Sequence, residues 1–218
     1  QGLPRTIANA PDVIDVMVLE MGMRGFGEIA GLCEIARPRV GVITRVAEAH
    51  SDRLGGIDGV ATAKAELVRA LPGDGTAILN ADDHRVLAMA GATTARVVTV
   101  GESTTADVRV TEVRVDDEAR ASFVITGPWG STLVTLGISG RHMVTNAALA
   151  LATVHVVGGD VAAGAAALAD VGLTPMRMQV HHTPAGATIV DDSYNANPTS
   201  MRAALDALID LPATRRIA

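Results

Sequence analysis

A chain of 218 residues has room for one substantial core, or for a domain and part of another. Apolar residues make up 48% and aromatics 2%, which excludes a disordered chain and requires a core of Ala, Val, Leu, Ile and Met. A net charge of -6 with no Lys/Arg cluster speaks against a nucleic-acid partner.

No apolar run reaches the length of a membrane span, and the N-terminus lacks the charged and apolar regions of a signal peptide, so no membrane insertion is expected. The single cysteine, Cys33, excludes an intrachain disulfide and fits a reducing cytoplasm. The chain starts at Gln1, and its closing "ATRRIA" reads as a strand cut short; both imply a fragment.

The first two thirds alternate strand and helix. "VMVLEMG" (Val16–Gly22) is a continuous apolar run, as expected of a parallel strand buried on both faces. A helix follows in "GEIAGLCEIARP", with Ile29, Leu32, Cys33 and Ala36 on one face and Pro38 as its stop. "VGVIT" (Val40–Thr44) is the next strand, and a helix runs through "GVATAKAELVRAL" to Leu71 before Pro72 and Gly73. "TAILNADD" gives a third strand and a turn, "HRVLAMAG" a short helix, and "ARVVTVG" a fourth strand. Such repetition predicts right-handed crossovers and a mostly parallel sheet flanked by helices, an α/β fold.

From Asp107 the period changes to two, with turn signals at Asp116–Asp117 and Gly127–Gly130, which predicts a small antiparallel sheet adjoining the parallel one. Helical patterns return in "HMVTNAALALATVHVV" and "DVAAGAAALADV". "MRMQVHH" and "GATIVDD" read as a β-hairpin, followed by a helix from Pro198 to Leu211. A domain boundary is expected near residues 193–198.

In open α/β sheets, ligands bind beyond the carboxyl ends of the strands. Glu20 ends the first predicted strand, His50 lies six residues past the second, and Asp191 and Asp192 end the hairpin. A carboxylate and an imidazole with open positions suit Mg²⁺ carrying a phosphorylated substrate; on spacing alone, a capping Glu and a surface His are the favoured reading. Lys64 adds a cation inside a helix, flanked by alanines.

Asn146, in the first turns of its helix, can offer a donor and an acceptor to a purine edge, or be an ordinary polar residue of an Ala-rich helix. Arg177 can reach a phosphate or stand as a strand's solvent-facing charge. Helix-start chemistry accounts for Asn197 and Pro198. It does not account for Asp191, Asp192, Tyr194 and Asn195 together, and a helix N-terminus facing them suits nucleotide hydroxyls or phosphates.

"LEMGMRGFGEIAGLCEIARPRVGVIT", "AEAH", "AKAEL", "LNADD", "SGRHMVTNAALA", "MRMQ" and "DDSYNANPTSM" together resemble the Mur ligases, in order and spacing, across essentially the whole chain. The wording is nearest to the member that adds D-alanyl-D-alanine to UDP-N-acetylmuramoyl-tripeptide in the synthesis of peptidoglycan precursors.

That resemblance implies three domains in the parent protein, of which residues 1–192 match the central ATPase domain without its P-loop strand and helix. Residues 193–218 match the start of a C-terminal Rossmann-like domain. It implies an ATP- and Mg²⁺-dependent ligase of the cytoplasm that acts through an acyl phosphate, monomeric at full length, with cell shape and division depending on its product.

By position, Glu20 and His50 match Mg²⁺-binding residues, and Lys64 matches a lysine carbamylated in several members. Lys64 and His50 are thereby the catalytic candidates. Asn146 matches an adenine contact, Arg177 a phosphate contact and Asp192 a ribose contact, while Tyr194, Asn195 and Asn197 line an interdomain hinge beside the nucleotide.

Two departures stand out: "TRVAEAH" carries Arg45 and Ala47 where relatives commonly read "TNVG" or similar, and no G-x-x-G-K-[ST] occurs anywhere. In the family that loop lies upstream of the stretch matching Gln1, so this polypeptide alone is expected to be inactive. The alternatives are another Mur ligase, a folylpolyglutamate synthetase-like ligase, or a nucleotide-binding module without catalysis.

Overall fold

The computed structural model describes residues 2–47, 54–172, 174–196 and 198–218. They form two compact units, divided between Thr99 and Val100.

The first unit is built on α1 (Gly2–Ala8), α2 (Glu28–Ala36), β1 (Val40–Ile43), α3 (Ile57–Arg69), β2 (Thr76–Asn80) and α4 (His84–Ala88), with a 3-10 turn at Met89–Ala92. β1 and β2 pair in parallel, Val40 opposite Thr76 through Ile43 opposite Leu79. Ala77 and Leu79 are fully buried, and Val60, Ala63 and Val68 present the apolar face of α3 to the same core. That stripe recurs at helical spacing, so burial of one face holds α3 more than its Gly-rich start does. α2 buries Ile29 and Cys33, as its sequence pattern implies, and ends before Pro38 with Arg37 in the left-handed region at φ 46°.

Gly59 lies in the first turn of α3, where alanine is ordinarily the better helix former by about 1 kcal/mol. Here a Cβ would run into the backbone carbonyl of Leu54. Gly59→Ala is therefore expected to destabilise the protein by about 1–3 kcal/mol, read as a lower denaturant midpoint. A midpoint equal to or above that of wild type would mean that the Leu54 turn yields at no cost.

β3 (Arg96–Gly101) lies next to β2 and runs across the division between the units. Its last residues pair in parallel with β4 (Val108–Val115), Val100 opposite Val108. β5 (Arg120–Gly127) and β6 (Gly130–Ser139) continue antiparallel, giving the order β1-β2-β3-β4-β5-β6. The register shift in β4 between Thr111 and Arg114 contains Glu112 in the left-handed region at φ 55°.

α5 (Met143–Val156) packs on β4–β6, and α6 (Val161–Ala167), N-capped by Asp160, packs on β6. Phe123, Ile125, Val134, Leu136, Leu149 and Leu151 fill the space between. β7 (Gln179–His182) and β8 (Thr188–Asp191) form the expected hairpin as a second, two-stranded antiparallel sheet, and α7 spans Pro198–Asp210. The α/β fold, mostly parallel with a small antiparallel addition and flanking helices, is the one the sequence implies.

One expected strand is absent. Residues 16–22 are extended but carry no ladder, and Val18 is 87% exposed. An apolar run becomes a strand only where a neighbour takes up its N–H and C=O groups, and no described strand pairs with it. Its far end is anchored: the Cys33 thiol lies 3.8 Å from the Met21 sulfur, and Met23 packs against the core.

Candidate functional site

In the first unit the polar residues gather where β1 and β2 end. β2 runs into "NADD". Asn80, buried at the strand's last position, donates from Nδ2 to the Thr44 carbonyl at 2.8 Å, and its Oδ1 accepts from Asp82 N–H at 2.9 Å. Asp83 is the N-cap of α4: Oδ1 accepts from the backbone N–H of Arg85 at 3.0 Å and of Val86 at 3.2 Å. Its second oxygen accepts from Val46 N–H at 2.8 Å, which ties the loop after β1 to the loop after β2.

Lys64 sits on α3, half-buried between Ala63 and Ala65. Burial pushes its ammonium pKa below the ordinary range, and the Asp83 carboxylate partly restores it. The consequence is a larger share of neutral amine than an exposed lysine offers, which is the form that reacts with electrophiles.

Two residues along the same helix, Glu66 turns to α2. Its Oε1 accepts from Gly27 N–H at 2.7 Å and its Oε2 from Ala30 N–H at 3.0 Å. Gly27, the N-cap at φ 81°, has no side chain to cap α2, so the carboxylate of α3 does so from outside, with its charge at the positive end of the helix dipole. The same charge, after burial, helps to push the Cys33 thiol pKa up. Glu20 stands exposed in the extended segment before α2. His50 lies outside the described residues, and among those described no group of three His, Cys, Asp or Glu side chains converges as a metal site.

In the second unit, Asn146 is exposed on α5, with its amide 3.6 Å from the Met143 sulfur. The hairpin brings three predicted residues together. Met176 and Met178, on either side of Arg177, both have positive φ, 64° and 46°. Both are held by the segment after β8: the Met176 carbonyl accepts from Tyr194 N–H at 3.0 Å, and Met178 N–H donates to Asp192 Oδ1 at 3.1 Å. The Arg177 guanidinium lies over the Tyr194 ring, 4.2 Å from its centroid. Residues other than Gly in this backbone region cost free energy and cluster at binding sites.

Asp191 Oδ1 accepts from both the N–H and the hydroxyl of Ser193, at 3.1 and 2.6 Å, which holds its carboxyl below the usual range. Asn195 is exposed and accepts from Ala196 N–H at 2.9 Å; Asn197 lies outside the described residues.

Asn80, Asp83 and Glu66 are the residues that reading the sequence for function passes over. For Asp83 a signal was present, an Asx residue directly before a helical pattern. For Glu66 there was none, because its partners are 36 and 39 residues away.

With this geometry in view, comparisons with known proteins are informative. The Mur ligase middle domain matches residues 1–154, and the Mur ligase, glutamate ligase domain matches residues 176–218. The chain is 44% identical over 208 residues to the UDP-N-acetylmuramoyl-tripeptide–D-alanyl-D-alanine ligase of Mycobacterium tuberculosis, covering 95% of this chain and 41% of that protein. Its likeness to the Bacillus subtilis protein of the same name is 35% over 204 residues, covering 94% and 43%.

Among solved structures, MurF from Acinetobacter baumannii superposes with a TM-score of 0.83 at 32% identity, over 89% of this chain and 42% of that one. MurF ligase from Thermotoga maritima in complex with ADP does so with 0.85 at 26% identity, over 97% and 48%. The chain therefore spans less than half the length of each of these relatives. Two family matches that cover nearly the whole sequence, on a fold shared with solved MurF structures, show that the chain belongs to the Mur ligase family.

Proposed function

We propose that this chain is the nucleotide-handling part of a ligase that uses ATP to join D-alanyl-D-alanine to UDP-N-acetylmuramoyl-tripeptide. The observation that carries this reading is the Arg177–Tyr194–Asp192 cluster, standing in a chain 44% identical over 95% of its length to a ligase of that name. In this reading the γ-phosphoryl group of ATP passes to the substrate carboxylate and ADP leaves. The amine of D-alanyl-D-alanine then attacks the acyl phosphate, and phosphate is expelled as the amide forms. The domain boundary falls at residues 193–198, the parent ligase is a cytoplasmic monomer, and its product serves cell-wall growth and division.

Each residue has a stated part. Asn146 contacts adenine, Arg177 a phosphate and Asp192 the ribose, while Tyr194, Asn195 and Asn197 line the hinge beside them. Glu20 supplies a hard oxygen and His50 an imidazole for Mg²⁺, an ion that keeps much of its water and takes few protein ligands, so a sparse donor set fits it. Mg²⁺ there would neutralise phosphate charge. Lys64, with its lowered proton affinity, suits carbamylation, which replaces a cation by an anion.

The test is an assay of the full-length protein for phosphate release that requires ATP, UDP-N-acetylmuramoyl-tripeptide and D-alanyl-D-alanine together. Turnover without the dipeptide, or with a different amine preferred, would overturn the assignment. Arg177→Ala is expected to raise the KM for ATP by about tenfold, the worth of one charge-assisted contact, with a smaller change in kcat. An unchanged KM would remove Arg177 from the nucleotide site.

A further inference from the structure

The loop after β1 is held at two neighbouring points by side chains from the end of β2 and the loop that follows it. Asn80 takes the Thr44 carbonyl and Asp83 takes the Val46 N–H, each at 2.8 Å. The residue between is Arg45, whose side chain is exposed and has no ion-pair partner among the described residues. With the carbonyl before it and the amide after it fixed, the backbone at Arg45 has little freedom to re-aim the side chain.

Neither hold is a by-product of something else. Oδ1 of Asp83 alone completes the cap of α4, which leaves Oδ2 as the acceptor for the Val46 amide, while the charge of the carboxylate also reaches Lys64. Asn80 is 6% exposed and uses both ends of its amide, which fixes its orientation. The loop lies at the carboxyl end of a parallel strand, where open α/β sheets bind ligands. A guanidinium with no ion pair among the described residues is suited to an incoming phosphoryl oxygen.

We propose that Arg45 contacts a phosphoryl group during the reaction and that Asn80 and Asp83 are its positioning residues. This rests on the ligase reading above and adds to it a phosphate contact at the end of β1. Two phosphoryl groups qualify, that of bound nucleotide and that of the acyl phosphate.

The experiment uses the full-length protein with Arg45→Ala, Asp83→Asn and the double variant. Binding of a non-hydrolysable ATP analogue is measured by calorimetry and ligation by phosphate release. Asp83→Asn retains an oxygen to cap α4 and loses the acceptor for Val46. Each single variant is expected to lower kcat/KM for ATP by about tenfold with melting temperatures within a few degrees of wild type, and the double to lose little more than either, since coupled residues are not additive. Loss of analogue affinity as well assigns the contact to the nucleotide; loss in kcat alone assigns it to the acyl phosphate.

Normal turnover and affinity in Arg45→Ala would overturn the proposal, as would a double variant whose loss is the product of the two single losses. Should Asp83→Asn not fold, Asn80→Asp takes its place, removing the donor to Thr44. Amide exchange over residues 44–47 reads the positioning directly: it is expected to quicken in Asp83→Asn, and unchanged exchange would overturn that half. A wild type that binds the analogue and joins no substrates would sink the ligase reading alone, because affinity and exchange still report on Arg45 and its two supports.

Discussion

Replacing Lys64 by Ala in the full-length protein is expected to lower the proposed amide formation by at least about two orders of magnitude, the range for a group acting directly on the reacting atoms, and to shift the melting temperature by no more than a few degrees. The two halves of this expectation have separate causes. Activity falls because Lys64 is the one group proposed to change the sign of its charge for the reaction. Stability is spared because Lys64 contributes little to it: it is half-buried, has no salt bridge among the described residues, and its charged form is disfavoured by burial.

The same physics gives a pH signature. The folded pKa of Lys64 lies below its ordinary value of 10.5, so between those two values the unfolded chain holds the extra proton. Stability therefore rises with pH through that window, and the penalty is felt in full below the folded pKa. Lys64→Met removes the penalty, so its denaturant midpoint at neutral pH is expected to exceed that of wild type, with the difference closing as pH approaches 10.5. Near-normal ligation by Lys64→Ala would remove Lys64 from the reaction. A midpoint difference that does not depend on pH would deny the shifted ammonium.

A large single-residue effect on stability is expected at Glu66. Glu66→Ala removes two hydrogen bonds to a charged acceptor, to Gly27 and Ala30, and leaves the N-terminus of α2 without a cap. Charge-assisted bonds of this kind contribute about 1.5–3 kcal/mol each where shielded from water; discounting for solvent access, the pair is worth about 2 kcal/mol. For a protein of this size that corresponds to a melting point lower by about 4–8 °C. Glu66→Gln keeps one acceptor oxygen and is expected to lose about half as much. Equal melting points for Glu66→Ala and wild type would show that water caps α2 as well as the carboxylate does.

This fold was legible in the sequence where a segment's fate depends on its own pattern. The apolar stripe of α3, the stop of α2 before Pro38, the turns at Asp116 and Gly127–Gly130 and the β7–β8 hairpin all follow from period, cap and turn chemistry. Residues 16–22 did not obey their pattern, because a strand needs a neighbour and the pattern cannot say whether one is present. The site divides in the same way. Asp192 and Tyr194 were singled out as polar groups crowded at a strand end and Arg177 as a charge able to reach a phosphate, and the hairpin joins them.

What the sequence determined by itself is which residues are candidates for chemistry and which helices and turns form, since both follow from side-chain type and local spacing. What only the tertiary structure decided is who holds them in place. Glu66 on Gly27 and Ala30, Asp83 on Val46 and Asn80 on Thr44 each span 36 to 39 residues. The partners are backbone amides, which every residue except proline offers alike, and a carbonyl, which every residue offers. A side chain that binds backbone leaves no mark on its partner's identity, so such a pairing exists only in the folded chain.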